Sequence, residues 1–167
     1  MVRSSMAINY AFLVILLASC GFALVSGGAP ERIGAAIYAG GSFATVAVAS
    51  APPIRFQGVE MGVFIVDVFV FLGFVALALR ANRFWPIWVS ALVGIGLAGH
   101  LAMLLRPQVI PWAYAAVLSI WSYPILAVMT AGTWLHRRRR IKTGADPSWT
   151  RSSAQPGRIG PGPGPTP

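Results

Sequence analysis

The sequence predicts an all-α integral membrane helical bundle of five transmembrane helices with a disordered C-terminal tail, on three observations. Of the 167 residues 56% are hydrophobic and only 10% are charged, against roughly a quarter charged in ordinary soluble domains. The apolar residues fall in five long runs, each near the ~20 residues of helix that a hydrocarbon core about 30 Å thick requires. Lysine and arginine collect on alternate connections between the runs, as they do in proteins with a defined membrane orientation.

The runs lie at about 8–26, 33–50, 59–79, 84–105 and 110–135. Residues 1–140 thus form one transmembrane bundle, and 141–167 a Pro/Gly-rich cytoplasmic tail. Helix breakers and caps separate the runs: Gly27, Gly28 and Pro30; Pro52 and Pro53; Asn82 as N-cap ahead of Pro86; Pro107 and Pro111. Gly34, Gly40, Gly41, Ser42 and Thr45 make the second run the least apolar. It reads either as a span or as a re-entrant segment, and its length and small residues favour the span. The first run admits a second reading too. Arg3 ahead of an apolar stretch, and Leu17-Ala18-Ser19-Cys20 with its likeness to a lipobox, suit a secretory signal, but the run stays apolar through Phe22 to Val25.

With five spans, the first connection, the third connection and the tail share one side. That side carries Arg32, Arg80, Arg83, the run Arg137, Arg138, Arg139 and Arg140, and Lys142; the opposite side carries Arg3, Arg55 and Arg106. The asymmetry predicts a cytoplasmic C-terminus and an external N-terminus in a cell inner membrane. Trp85, Trp88 and Trp134 then fall at the inner interface, and Trp112 and Tyr114 at the outer one, as an aromatic belt requires. Beyond Trp134 the chain becomes basic and then rich in Pro, Gly and Ser, too polar to bury a core. The arginine run serves orientation, and each charge adds about 1 kcal/mol of attraction to anionic lipid headgroups. The net charge of +9 is spread over connections and tail with no folded basic face, which argues against nucleic acid.

Polar residues inside the runs define the candidate site. Asp67 lies mid-run in the third span, where a carboxylate costs ~2.5–3.5 kcal/mol by insertion scales. Glu60 lies seven residues earlier on the same helical face, with Phe64 and Phe71. His100 in the fourth span falls within about one turn of Asp67 in depth, so the two can hydrogen-bond. Ser119, Ser122, Tyr123, Thr130 and Thr133 share a sector of the fifth span, which Pro124 interrupts. The candidate intramembrane polar site is therefore Glu60, Asp67, His100, Ser119, Ser122 and Tyr123. Its structural reading is packing glue; its functional readings are ion or proton handling and contact with a ligand. A stripe of Ser90, Gly94, Ala98 and Ala102 on the fourth span, and Ala36, Gly40 and Ala44 on the second, suggest that these two helices pack directly.

Several chemistries lack their residues. Cys20 is the only cysteine, which excludes an internal disulfide and thiolate clusters. There is no His-Glu-x-x-His, no second membrane histidine for two haem ligands in one monomer, and no glycine-rich phosphate loop after a strand. Ser119 or Ser122 with His100 has no recognisable nucleophile motif around it. The expectation is a chain without metal, cofactor or catalytic residues.

Asn82-Arg83-Phe84-Trp85-Pro86-Ile87-Trp88, Ala98-Gly99-His100-Leu101, Trp112-Ala113-Tyr114 and Trp121-Ser122-Tyr123-Pro124 through Gly132-Thr133-Trp134 together resemble a family of small uncharacterised bacterial polytopic membrane proteins with no known activity. The resemblance spans residues about 30–140 and implies a bacterial inner-membrane setting. The leading expectation is a non-enzymatic packing or accessory module, working alone, as a homo-oligomer or in a larger membrane complex. The alternatives are a proton- or cation-coupled channel or transporter using Asp67 and His100, and a lipid or quinone binder at the Phe64, Phe71 and His100 face.

Overall fold

The computed structural model describes residues 2–49, 60–105, 119–144, 146, 148 and 149, with side chains from residue 10 onward. These residues form five long helices and no strand beyond one isolated bridge. They are α1 (Val2–Ser26), α2 (Ala29–Val48), α3 (Met61–Arg80), α4 (Trp85–Leu105) and α5 (Ser122–Thr143). Two of them, α3 and α4, are long and apolar enough to cross a membrane, and Tyr10–Ser26 of α1 is a shorter apolar stretch. Glu31, Arg32 and the small residues dilute α2. α5 ends in His136–Lys142, and the apolar 110–118 that should precede it lies outside the described residues.

Local chemistry sets the ends. Gly27 and Gly28 make the α1–α2 turn, Pro30 sits in the first turn of α2, and the Glu31 carboxylate accepts the Gly28 N–H at 3.0 Å. An acid three residues into a helix that bonds back to the preceding amide caps it and faces the positive end of its dipole. α3 closes with the Ala81 amide on the Leu77 carbonyl at 2.8 Å. α4 starts at Trp85-Pro86, with the Ile87 amide on the Phe84 carbonyl at 3.2 Å, so Asn82 stands outside the cap position expected for it. α5 begins after a turn at Trp121 and places Pro124 in its first turn, where a missing donor costs nothing. Among the described residues the fifth run is therefore interrupted at the Trp121 turn, and α5 continues past 135 to Thr143. It ends at Gly144, whose φ of 72° is open to glycine at little cost. The helix thus continues past the expected boundary at 140, because Arg140 and Lys142 suit the negative end of its dipole.

The helices pack in a closed ring, α1 on α2, α2 on α3, α3 on α4, α4 on α5 and α5 on α1, with α2 also touching α5 across the middle. Leu16, Ala23, Phe74, Val89, Leu126 and Met129 fill the centre. The keystone is Trp85. Its indole lies where a β-carbon on Gly34 would come within 2.5 Å and one on Gly132 within 2.6 Å, and it meets the Phe74 ring edge-on at 6.2 Å. Trp85 is buried and belongs to the core, not to the interfacial belt; Trp88 and Trp134 are exposed.

The expected small-residue pairing of α2 with α4 is not what the ring does. Those helices are separated by α3 on one side and α5 on the other, and Trp85 at the start of α4 reaches α2 at Gly34 and Glu31, outside either stripe. Ser90 bonds its own Pro86 carbonyl at 2.8 Å, and Gly94 sits under Phe71 of α3. Ala36, Gly40, Ala98 and Ala102 point outward, and Ala44 is half-buried. Among the described residues, glycines that do allow close approach between helices include Gly41 beneath Val70, Gly62 beneath Val48, Gly73 beneath Ile37, and the Gly34–Gly132 pair.

Candidate functional site

Two polar centres sit in the bundle. The first is the pair expected from depth: His100 Nε2 lies 3.2 Å from Asp67 Oδ2. Helix α4 buries the imidazole completely, while the Asp67 side chain is 29% exposed. The Phe64 ring tilts against the imidazole at 5.5 Å and covers one face. Glu60, at the start of α3, is buried and engaged within the protein.

The structure does not extend this centre to α5. The Ser122 carbonyl accepts the Tyr38 hydroxyl at 3.4 Å, the Tyr123 ring stands edge-on to Phe12 at 6.1 Å, and Ser119 is exposed. Helix α5 packs on α1, α4 and α2, so its polar sector meets the opposite side of the ring from α3. Thr130 bonds Ser19 of α1 at 3.1 Å, and Thr133 bonds its own Met129 carbonyl at 3.0 Å. Tyr38, absent from the sequence-derived site, is the buried link between α2 and α5.

The second centre was not expected. At the end of the bundle where α1 turns into α2, α3 into α4, and α5 ends, Arg83 is buried between two acids. Its Nε lies 3.2 Å from Glu31 Oε1. Its Nη1 and Nη2 face Asp146, at 3.2 Å from Oδ1 and 2.9 Å from Oδ2. The Trp85 indole N–H donates to Glu31 Oε1 at 3.2 Å. His136 of α5 places Nδ1 2.8 Å from Asp146 Oδ2 and 3.0 Å from Arg83 Nη2.

A guanidinium can only donate and a carboxylate held by it only accepts, so Nδ1 serves Asp146 as a donor in one tautomer and Arg83 as an acceptor in the other. His136 Nε2, which has no hydrogen-bond partner among the described residues, faces Gly28, where a β-carbon would lie 3.2 Å away.

A third feature is the arginine run. Arg137, Arg138, Arg139, Arg140 and Lys142 are all exposed, and Arg138 stacks its guanidinium 5.3 Å over the Trp134 ring. Arg139 Nη1 comes to 3.8 Å from Asp146 Oδ1.

Sequence reasoning passed over Glu31, His136 and Asp146, and counted Arg83 for orientation alone. The available signal was scarcity. The chain has four acids, Glu31, Glu60, Asp67 and Asp146, against thirteen basic residues, and two of the four serve this one cluster. No protein family, curated protein or solved structure matches the chain.

Proposed function

We propose that the chain is a non-enzymatic, multi-pass bacterial inner-membrane protein of five spans, N-terminus outside and arginine run in the cytoplasm, that serves as a packing module within a membrane assembly. One observation carries this reading. The polar groups of the bundle are matched to one another inside the chain, Asp67 to His100, Arg83 to Glu31 and Asp146, Ser19 to Thr130, while large apolar side chains line the outside of every helix. Such a surface suits lipid, which cannot satisfy a polar group.

The outward small residues favour assembly. Ala36 and Gly40 on α2, and Ala98 and Ala102 on α4, are exposed and unused by the ring. In lipid, small residues on an outer face allow another helix to approach closely. Native mass spectrometry from nanodiscs should give a homo-oligomer or a hetero-complex, shifted to the monomer by Gly40→Leu or Ala98→Leu. A wild-type chain that is monomeric and co-purifies with nothing at native expression contradicts the assembly reading.

A second reading is favoured by the exposure of Asp67 beside a fully buried His100: the pair handles a proton or cation in a channel or transporter. Proteoliposome flux lost in Asp67→Asn and His100→Ala supports it, and flux unchanged in both removes it.

A further inference from the structure

Asp146 reaches the ionic cluster by a different route from its partners. Glu31 and His136 stand on helices and Arg83 on the short α3–α4 turn, whereas Asp146 arrives on a strap that leaves α5 through the left-handed Gly144. Besides its carboxylate, the strap meets the α3–α4 turn through the Ser148 carbonyl, which accepts the Asn82 amide at 3.1 Å, and through the Ala81–Trp149 bridge. Trp149 itself is exposed.

What receives the carboxylate is built as an anion receptor. Arg83 offers both Nη atoms, His136 Nδ1 stands 2.8 Å from the carboxylate, and Arg139 stands at the rim. The Arg83 and His136 side chains are only 2% and 3% exposed. A guanidinium fork fits two oxygens of a phosphate as well as two of a carboxylate. A phosphate monoester carries up to about two charges where Asp146 carries one, so it gains more from the same donors. A groove of ≈ 360 Å³ lined by Val25, Ser26, Arg137, Arg140, Ile141 and Gly144 opens at the hinge of the strap. Basic pockets among membrane helices on the cytoplasmic side are where phosphate headgroups are held.

We propose that Asp146 is the built-in occupant of a phosphate-binding site, and that a phosphate oxyanion displaces it and swings the strap off the α3–α4 turn about Gly144. The oxyanion comes either from a phosphomonoester lipid headgroup or from a soluble phosphate. The lipid source rests on the membrane reading above. The soluble source does not, so the two ideas fail separately.

The test follows hydrogen exchange at the Asn82 amide, which the strap protects, in the full-length chain. One arm adds inorganic phosphate in detergent against chloride at matched ionic strength; the other replaces phosphatidylcholine nanodiscs with ones containing phosphatidic acid. Exchange is expected to rise about tenfold, the effect of about 1.4 kcal/mol, in at least one arm, and the arm that responds names the source. Asp146→Ala should exchange fast without any phosphate, and His136→Gln, with helicity retained by circular dichroism, should lose the response. No rise in either arm, an Asn82 amide still protected in Asp146→Ala, or a full response in His136→Gln overturns the proposal.

Discussion

Asp67 meets His100 across two consecutive helices, whereas Arg83 meets Glu31, His136 and Asp146 across separations of 52, 53 and 63 residues. The first pair leaves its acid side chain 29% exposed, and the second cluster leaves none of its side chains more than 8% exposed. The cohesion of the ring as a whole resides in the second. A pair on neighbouring antiparallel helices joins elements that a four-residue turn already holds together. The cluster joins the α1–α2 turn, the α3–α4 turn, the end of α5 and the strap, so it closes one end of the ring. Burying an ion pair is weak evidence of net stability, but removing one partner leaves an uncompensated charge.

Arg83→Met should therefore have the largest effect, a loss of about 3–5 kcal/mol in unfolding free energy in mixed micelles, because Glu31 and Asp146 lose their shared cation. A loss below about 1 kcal/mol would break the contrast between the two centres. Gly132→Val comes next, at about 1–3 kcal/mol, since its side chain would intrude on the Trp85 ring that carries the indole N–H to Glu31. Asp67→Asn should cost about 1 kcal/mol or less, the usual worth of a side-chain hydrogen bond between membrane helices, and the His100 imidazole can still pair with the amide. Arg138→Ala should be smallest, about 0.5 kcal/mol, the lower end for an exposed cation–π contact such as the one with Trp134. A reversed order of Arg83→Met and Asp67→Asn would place the determining contacts at mid-bundle instead.

The two centres also differ in how far the sequence reveals them. Asp67 and His100 are readable because each lies alone in an apolar run, and the helical rise converts residue number into depth. The extents of α3 and α4 follow equally well from uninterrupted hydropathy. The ionic cluster is hidden because each member has a sufficient local reason to be where it is: Glu31 caps α2, Arg83 lies in a basic turn, and His136 heads an arginine run. Only tertiary structure converts these into one centre. Trp85 is misread for the same reason. A Trp at a helix end satisfies the belt pattern, and its burial depends on Gly34 and Gly132, on two other helices. The outward turn of the Ala36–Gly40 and Ala98–Ala102 stripes depends on the order of the ring, which periodicity within one helix does not contain.

The proposed bundle crosses the membrane with its ionic cluster at the cytoplasmic face. Substituted-cysteine labelling on a Cys20→Ala background tests it most directly, with single cysteines at the exposed positions Phe84, Trp149 and Met61. In intact cells a membrane-impermeant maleimide should label Met61→Cys and spare Phe84→Cys and Trp149→Cys, both of which should react once the cells are opened. Labelling of Phe84→Cys from outside, or of all three positions from the same side, would overturn this topology.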